Sequence, residues 1–358
     1  MNFNFPLLKP IRILLFPFSL LYWLVIWIRN RLFDNNVFKS TGFNLPIICV
    51  GNIAAGGTGK SPMVEYLVKN LHQNYKVATL SRGYKRKTAG YALAKESSNA
   101  LEIGDEPMQF HIKFPDVAVA VGEERMVAIP QLLHDRPDTA VIILDDAYQH
   151  RTVKPGLNIL LTEYGNLYTR DWYLPTGDLR DERSSAKRAD IIVVTKCPST
   201  LNNEEKESIR AEIAPLPHQE MFFSTIRYGT VFHISNKKPF HINDQVEVLL
   251  VTGIANPKPL KKLLDEYSKT YYELNYSDHY IFTIDDLKDI KKRFNNIQAS
   301  QKIIITTEKD AVRLVKFEQE LQEIPLYVIP IEMMLLFNEG PRFNHLITSF
   351  IRDFKLLA

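Results

Sequence analysis

The stretch AAGGTGKSP, residues 54–62, nearly spells the phosphate-binding pattern G-x-x-x-x-G-K-[ST], with Ala54 where the first glycine is usual. Ahead of it PIICVGN (46–52) reads as a buried strand. Behind it SPMVEYLVKNL (61–71) puts Met63, Val64, Leu67, Val68 and Leu71 on one helical face. A glycine-rich loop between a strand and a helix is the setting a phosphate cradle requires. Gly56, Gly57 and Gly59 let the backbone curl with its N–H groups inward, Lys60 can reach the β- and γ-phosphates, and the Ser61 hydroxyl can ligate Mg²⁺ at the helix start. Pro62 falls in the first turn, where a missing N–H is harmless. Ala54 is tolerable provided its φ stays below zero, because a β-carbon is excluded only from left-handed backbone. Residues Ala54, Ala55, Gly56, Gly57, Thr58, Gly59, Lys60 and Ser61 are therefore expected to bind a nucleotide. A bare glycine turn would leave Lys60-Ser61 and both flanking elements as coincidence.

The run VIILDD (141–146) supplies apolar residues and then carboxylates where a sheet strand ends, so Asp145 or Asp146 can hold the metal. Taken alone, the pair would serve equally well as a helix cap. Ala55 stands where a deviant Walker ATPase switch would carry lysine. Thr195-Lys196 is followed by Pro198 instead of the aspartate of a guanine reader, so ATP is expected rather than GTP.

Short apolar runs recur along the chain: KVATLS (76–81), VAVAV (117–121), NILLT (158–162), DIIVVTK (190–196), EVLLVTG (247–253), KIIITTEKD (302–310) and PLYVIPIE (325–332). Near-continuous rather than alternating hydrophobicity implies strands covered on both faces. The expected fold is α/β, a P-loop NTPase-like and mainly parallel sheet with helices on both faces, followed by a smaller α/β lobe. The expected segments are an anchor helix over 1–30, a kinase core over 31–230 and a second lobe with a C-terminal helix over 231–358. Among 358 residues, 45% are hydrophobic and 24% charged, and the net charge of +3 gives no reason to expect a nucleic-acid partner. Two cysteines, Cys49 and Cys197, sit far apart in or beside apolar runs, as suits a reducing compartment such as the cytosol.

ILLFPFSLLYWLVIWI (13–28) carries no charge and is bracketed by Lys9 and Arg12 before it and Arg29 and Arg31 after it. It is shorter than the about 20 residues of a spanning helix, so it crosses only if the arginines snorkel, or it lies in the interface with Tyr22, Trp23 and Trp27 at headgroup depth. A cleaved signal peptide is disfavoured, because RNRLF follows where small residues should stand.

The polar clusters SRGYKR, IGDEPMQF, GEERMVA, DDAYQHR, LPTGDLRDE, NYSDHYIFT and TEKDAVR have no obvious structural task. In this order, with the glycine loop and the apolar N-terminus, they resemble the tetraacyldisaccharide 4'-kinase family of lipid A biosynthesis. The likeness runs from about residue 48 to 313. Ala147 stands where glycine is usual, and Asp178 and Ser277 where proline is usual. The resemblance implies ATP- and Mg²⁺-dependent phosphorylation of the 4'-hydroxyl of an acylated glucosamine disaccharide 1-phosphate, giving lipid IVA, at the cytoplasmic face of the inner membrane. An amphiphilic acceptor would explain a kinase that begins with a membrane-seeking helix.

The resemblance makes Asp105 the general base, partnered by His279, a pair that can meet only if the two lobes face each other. Read from the residues alone, Asp105 caps the helix EPMQFHI, and His279 is a turn histidine between Tyr276 and Tyr280. Arg82, Arg125 and Arg180 are candidates for the γ-phosphate or the anionic acceptor, since guanidinium groups recognise phosphate bidentately. Gln149 and His150 follow the aspartates closely enough to line the same site. In TEKDAVR, a Thr307 cap with Asp310 three residues on competes with a nucleotide contact. Two other classes remain compatible with the sequence: a P-loop kinase of a soluble small molecule, and a membrane-tethered nucleotide sensor.

Overall fold

The computed structural model describes residues 12–322 and 324–355; residues 1–11, with Lys9 of the expected anchor, lie outside them. Residues up to Arg227 together with those from Met333 form one compact unit, and Tyr228–Glu332 form a second.

In the first unit a long helix, α1 (Phe16–Asp34), precedes β1 (Ile47–Asn52), every residue of which is buried. The loop of residues 53–59 leads into α2 (Lys60–Leu71), which buries Met63, Val64, Leu67, Val68 and Leu71 as its spacing predicts. There follow β2 (Val77–Ser81), the short β3 (Ala92–Leu93), α3 (Ala100–Ile103), α4 (Asp105–Lys113), β4 (Ala118–Val121), α5 (Arg125–Asp135), β5 (Val141–Asp145), β6 (Leu157–Glu163), β7 (Ile191–Thr195), α6 (Asn203–Ile213) and β8 (Glu220–Tyr228).

The second unit contains β9 (Val231–His233), β10 (Pro239–Phe240), β11 (Glu247–Thr252), α7 (Lys258–Tyr267), β12 (Thr270–Asn275), α8 (Ile284–Asn296), β13 (Lys302–Thr307), α9 (Glu308–Leu314), α10 (Glu318–Leu321) and β14 (Leu326–Ile329). The chain ends with β15 (Ile331–Leu335) and α11 (Gly340–Arg352).

The first sheet has the order β15-β8-β7-β6-β1-β5-β2-β4-β3, with β1 parallel to both β5 and β6. Side chains alternate between two cores. Ile47, Cys49, Ile142 and Leu144 face one layer, and Ile48, Val50, Val141 and Ile143 the other, which is why these strands are apolar throughout. The chain crosses from β1 to β2 and later returns to insert β5 between them. The loops after β1 and β5 therefore meet at the carboxyl end of the sheet, where such folds bind ligands. The second sheet, β10-β9-β14-β13-β11-β12, is parallel from β14 through β12.

One expectation is corrected. The C-terminal helix was placed in the second lobe, but α11 belongs to the first unit, where Phe343 meets Tyr66 of α2 at 5.7 Å and Phe222 of β8 at 5.1 Å. Pro330 divides the apparently single run PLYVIPIE into β14 and β15, which lie in different sheets. Both cysteines are buried and free. Among the described residues no helix is long and apolar enough to cross a membrane.

Candidate active site

Two glycines of the loop hold left-handed backbone, Gly56 at φ 111° and Gly59 at φ 86°, a conformation that side chains resist. Ala54 is not among the residues with positive φ. It forms an antiparallel bridge with Leu179, which accounts for alanine in the first glycine's place. The loop is braced from both sides. Ala55 N–H donates to the Asp178 carbonyl at 2.6 Å and Arg180 N–H to the Ile53 carbonyl at 2.9 Å. Asn52 Nδ2 donates to Thr58 Oγ1 and the Thr195 hydroxyl to the Thr58 carbonyl, both at 2.8 Å.

At the end of β5, Asp145 is 2% exposed, and its Oδ1 has no hydrogen-bond partner among the described residues. Burial, aided by the charges of Glu106 and Asp146, pushes its pKa up to about 8. Asp146, at φ 51°, receives the Arg180 guanidinium and lies 3.8 Å from Lys60 Nζ. Burial opposes its ionisation, but Lys60 and Arg180 outweigh that and hold its pKa below the usual carboxylate range. Lys60 also lies within 3.4 Å of Asn52 Oδ1, and Arg180 donates to that same oxygen. Asn52 thus joins Lys60, Arg180 and Thr58, a role not read from the sequence. The signal was a polar side chain ending a buried apolar strand.

Among the described residues no cluster of three or more His, Cys, Asp or Glu is set to hold a metal by itself. An oxygen-only set of few protein ligands still fits Mg²⁺, which keeps waters and takes phosphate oxygens. The unpartnered, buried Asp145 carboxylate and the Ser61 hydroxyl are the groups suited to it.

Arg125 is 1% exposed. It donates to the carbonyls of Gly122 and Glu123 and, at 3.4 Å, of Asp145. This placement suits setting the charge balance of Asp145 better than contact with an acceptor. Gln149 Nε2 donates to the Asn52 carbonyl at 2.8 Å, tying the turn after β5 to the end of β1. His150 is half-buried. Burial, then Arg125 and Arg82, lower its pKa to about 4, so it is neutral at neutral pH. Arg82 is exposed.

Asp105 is the first residue of α4; Gly104, at φ 94°, takes the cap position, so capping does not account for the aspartate. A β-carbon on Gly104 would sit 3.2 Å from Gly83 of the SRGY segment, and glycine is needed there to bring the two turns together. The charge of Glu106 acts on Asp145, so the start of α4 lies near the end of β5.

His279 belongs to the second unit and Asp105 to the first. Within its own unit His279 adopts φ 64°, with Lys309 Nζ 3.3 Å from Nε2 and Arg313 Nη2 3.1 Å from Nδ1. Thr307 caps α9 through the Asp310 N–H, and buried Asp310 accepts from Gly253 N–H at 3.0 Å. The capping role expected as one option for Thr307 is therefore present.

Residues 11–352 match the LpxK family, tetraacyldisaccharide-1-P 4'-kinase. The chain is 43% identical over 353 residues to the tetraacyldisaccharide 4'-kinase of Bacteroides thetaiotaomicron, covering 95% of this chain and 93% of that one. It is 46% identical to that of Flavobacterium johnsoniae, covering 96% and 98%. The crystal structure of LpxK from Aquifex aeolicus in complex with ATP superposes with a TM-score of 0.75 at 28% identity, covering 95% of this chain and 99% of that one. With the family matched over nearly its whole length and a glycine loop facing paired aspartates, the chain belongs to the tetraacyldisaccharide 4'-kinase family.

Proposed function

We propose that this enzyme transfers the γ-phosphoryl group of ATP to the 4'-hydroxyl of an acylated glucosamine disaccharide 1-phosphate, giving lipid IVA. Support comes from the convergence of Lys60 and Arg180 on both Asp146 and Asn52, beside Asp145 and at the mouth of the glycine loop. Such an array of cations and carboxylates serves phosphoryl transfer, in which positioning and charge neutralisation supply most of the catalysis. The names of the relatives supply the acceptor.

Mg²⁺, held by Asp145 and Ser61, would neutralise charge on the phosphates. Lys60, once drawn from Asp146 to the nucleotide, stabilises the transferring group, and the backbone N–H groups of residues 54–60 cradle the phosphates. Asp105 accepts the proton as the 4'-oxygen bonds to γ-phosphorus and the bond to the bridging oxygen of ADP breaks. Arg82, exposed and near His150, would take an anionic group of the acceptor.

The enzyme acts at a membrane surface, the cytoplasmic face of the inner membrane. α1 and the turn before it offer the contact: Leu14, Phe18, Leu21 and Val25 are exposed apolar side chains on one short segment, flanked by Arg29 and Arg31. Incubation with ATP, Mg²⁺ and acylated disaccharide 1-phosphate, followed by mass analysis, tests the reading. One added phosphate at the 4'-position supports it. ADP release without an acylated acceptor, or transfer only to soluble acceptors, would overturn it.

A further inference from the structure

α1 is inverted for a helix on the surface of a protein. Phe18 and Leu21 are each 61% exposed, whereas Ser19 and Asn30 are each 3% exposed. Among the described residues, the inward polar groups of α1, and Arg12 just before it, bond to two loops. Towards residues 173–182, Arg12 pairs with the Asp178 carboxylate at 2.8 Å and donates to the Pro175 carbonyl at 3.0 Å. Ser19 donates to Thr176 Oγ1 at 2.7 Å, and the Tyr22 hydroxyl donates to the Arg180 carbonyl at 3.1 Å. Asn30 Nδ2 donates to Asp181 Oδ1 and Glu182 Oε2, both at 2.9 Å. Towards the turn after β5, Arg29 donates to the Gln149 carbonyl at 2.8 Å, and Arg151 donates back to the Asn30 carbonyl at 3.1 Å.

These are the same loops that brace the glycine loop. Asp178 accepts from Ala55 N–H, Arg180 and Asp181 donate to the Ile53 carbonyl, and Gln149 donates to Asn52. Asp181 also holds Arg188 at 3.0 Å. Arg188 donates to the Tyr148 carbonyl at 3.0 Å and covers the Tyr148 ring at 4.4 Å. Tyr148 in turn fits against Gly51, where an added β-carbon would come within 2.6 Å of Tyr148 Cβ. Three routes therefore run from α1 to the backbone of residues 51–55.

Lying on lipid asks nothing of a helix's inner face, and buried polar groups cost stability unless each is satisfied. Among the described residues, the inward polar groups of α1 are satisfied chiefly by the loops of the site. We propose that α1 is a structural part of the ATP site and that Arg29 and Asn30 are positioning residues for it. Neither touches the nucleotide. They fix Gln149, Asp181 and Arg188, and through them the turn carrying Asp145 and Asp146 and the strand end carrying Asn52. The Arg12–Asp178 pair, at a position where the family resemblance expects proline, strengthens the same link. This proposal rests on the reading of residues 54–61 as the nucleotide loop.

The test is ATP titration of the full chain in detergent without lipid, together with steady-state kinetics and retention on phosphatidylethanolamine–phosphatidylglycerol vesicles. Asn30→Ala and Arg29→Gln are expected to raise the Kd and KM for ATP about tenfold, within the range by which coupled positions modulate a site. The rise in Kd and KM should exceed any fall in kcat at saturating ATP, and Asn30→Ala, which alters no charge and no outward side chain, should keep its vesicle retention. Leu21→Ser, on the outer face, should do the reverse and lose retention with ATP affinity intact. Folded Asn30→Ala and Arg29→Gln variants that bind ATP as the unaltered chain does would overturn the proposal. If Asn30→Ala fails to fold, Arg29→Gln decides alone. Lys60→Ala is the control: lost affinity there with none lost in the α1 variants refutes the role of α1, whereas full affinity in Lys60→Ala refutes the loop assignment and this proposal with it.

Discussion

Lys60 Nζ lies 3.8 Å from the Asp146 carboxylate, which the Arg180 guanidinium also holds. The loop lysine is therefore engaged with a protein anion at the place where phosphate charge would arrive, and a bound nucleotide has only to exchange one anionic partner for another. Removing Lys60 leaves Asp146 its Arg180 partner, so no unpaired buried charge results. Lys60→Ala should abolish turnover with the fold intact. Rates and thermal unfolding measured together check this; an unfolded variant, or one with near-normal turnover, contradicts the assignment.

Asp105 opens α4, with Gly104 at the cap and Glu106 close enough to raise the pKa of Asp145. A proton acceptor contributes roughly 10²–10⁴-fold and acts on the acceptor hydroxyl rather than the nucleotide. Asp105→Asn should cut kcat by that order and leave ATP affinity unchanged in calorimetric titration. Equal losses in both would make Asp105 a metal or nucleotide ligand instead.

The nucleotide half of the molecule was legible because its signals are local. Strand, glycine loop and helix fall within residues 47–71, and the apolar runs of β1, β5 and β7 announce a sheet covered on both faces. The return of α11 to the first unit was not legible. PLYVIPIE has the composition of one buried strand, and only tertiary contacts reveal that Pro330 separates strands of two sheets. Asn52 and Asp181 were missed because residue type does not disclose where a side chain turns: Thr58 and Lys60 lie only six and eight residues beyond Asn52, while its contact with Arg180 and that of Asp181 with Asn30 join segments distant in sequence. Arg125 was one candidate for the γ-phosphate or the anionic acceptor; that α5 carries it, buried, to the Asp145 carbonyl is not disclosed by residue type and spacing.

The exposed apolar residues of α1, with Leu14 just before it, make a separable prediction. Burying a Leu or Phe side chain contributes about 1.5–3 kcal/mol. Replacing the exposed Leu14, Phe18 and Leu21 together by Ser should therefore lower partitioning onto anionic vesicles by more than about tenfold. These side chains are 77%, 61% and 61% exposed, so unfolding temperature should change little. Unchanged vesicle retention in a sedimentation assay would move the membrane contact elsewhere.

His150 gives a pH dependence. Its pKa falls from the ordinary 6.5 to about 4 through burial and the nearby Arg125 and Arg82. Above pH 6.5 the imidazole is neutral in both the folded and the unfolded chain. Between 6.5 and about 4 the unfolded chain binds a proton that the folded chain refuses, so stability falls as pH falls through that window. His150→Gln should flatten this part of the profile of unfolding temperature against pH. An equally steep decline in the variant would assign acid sensitivity to other groups.

His279 is held in left-handed backbone at φ 64°, its ring nitrogens facing the cationic donors Lys309 and Arg313. That backbone is one histidine adopts in turns, and Lys309 and Arg313 beside the ring fix its orientation. Removing the ring leaves Arg313 its Asp310 partner at 3.4 Å, so the second unit should remain folded in His279→Ala. If His279 assists the proton acceptor, His279→Ala and Asp105→Ala should each slow the chemical step. The double variant should then lose much less than the product of the two effects, because a group that acts through another has nothing left to assist once that other is gone. Single-turnover rates are required, since product release can mask chemistry in steady state. Strictly multiplicative losses would separate the two residues, leaving Asp105 to act without His279.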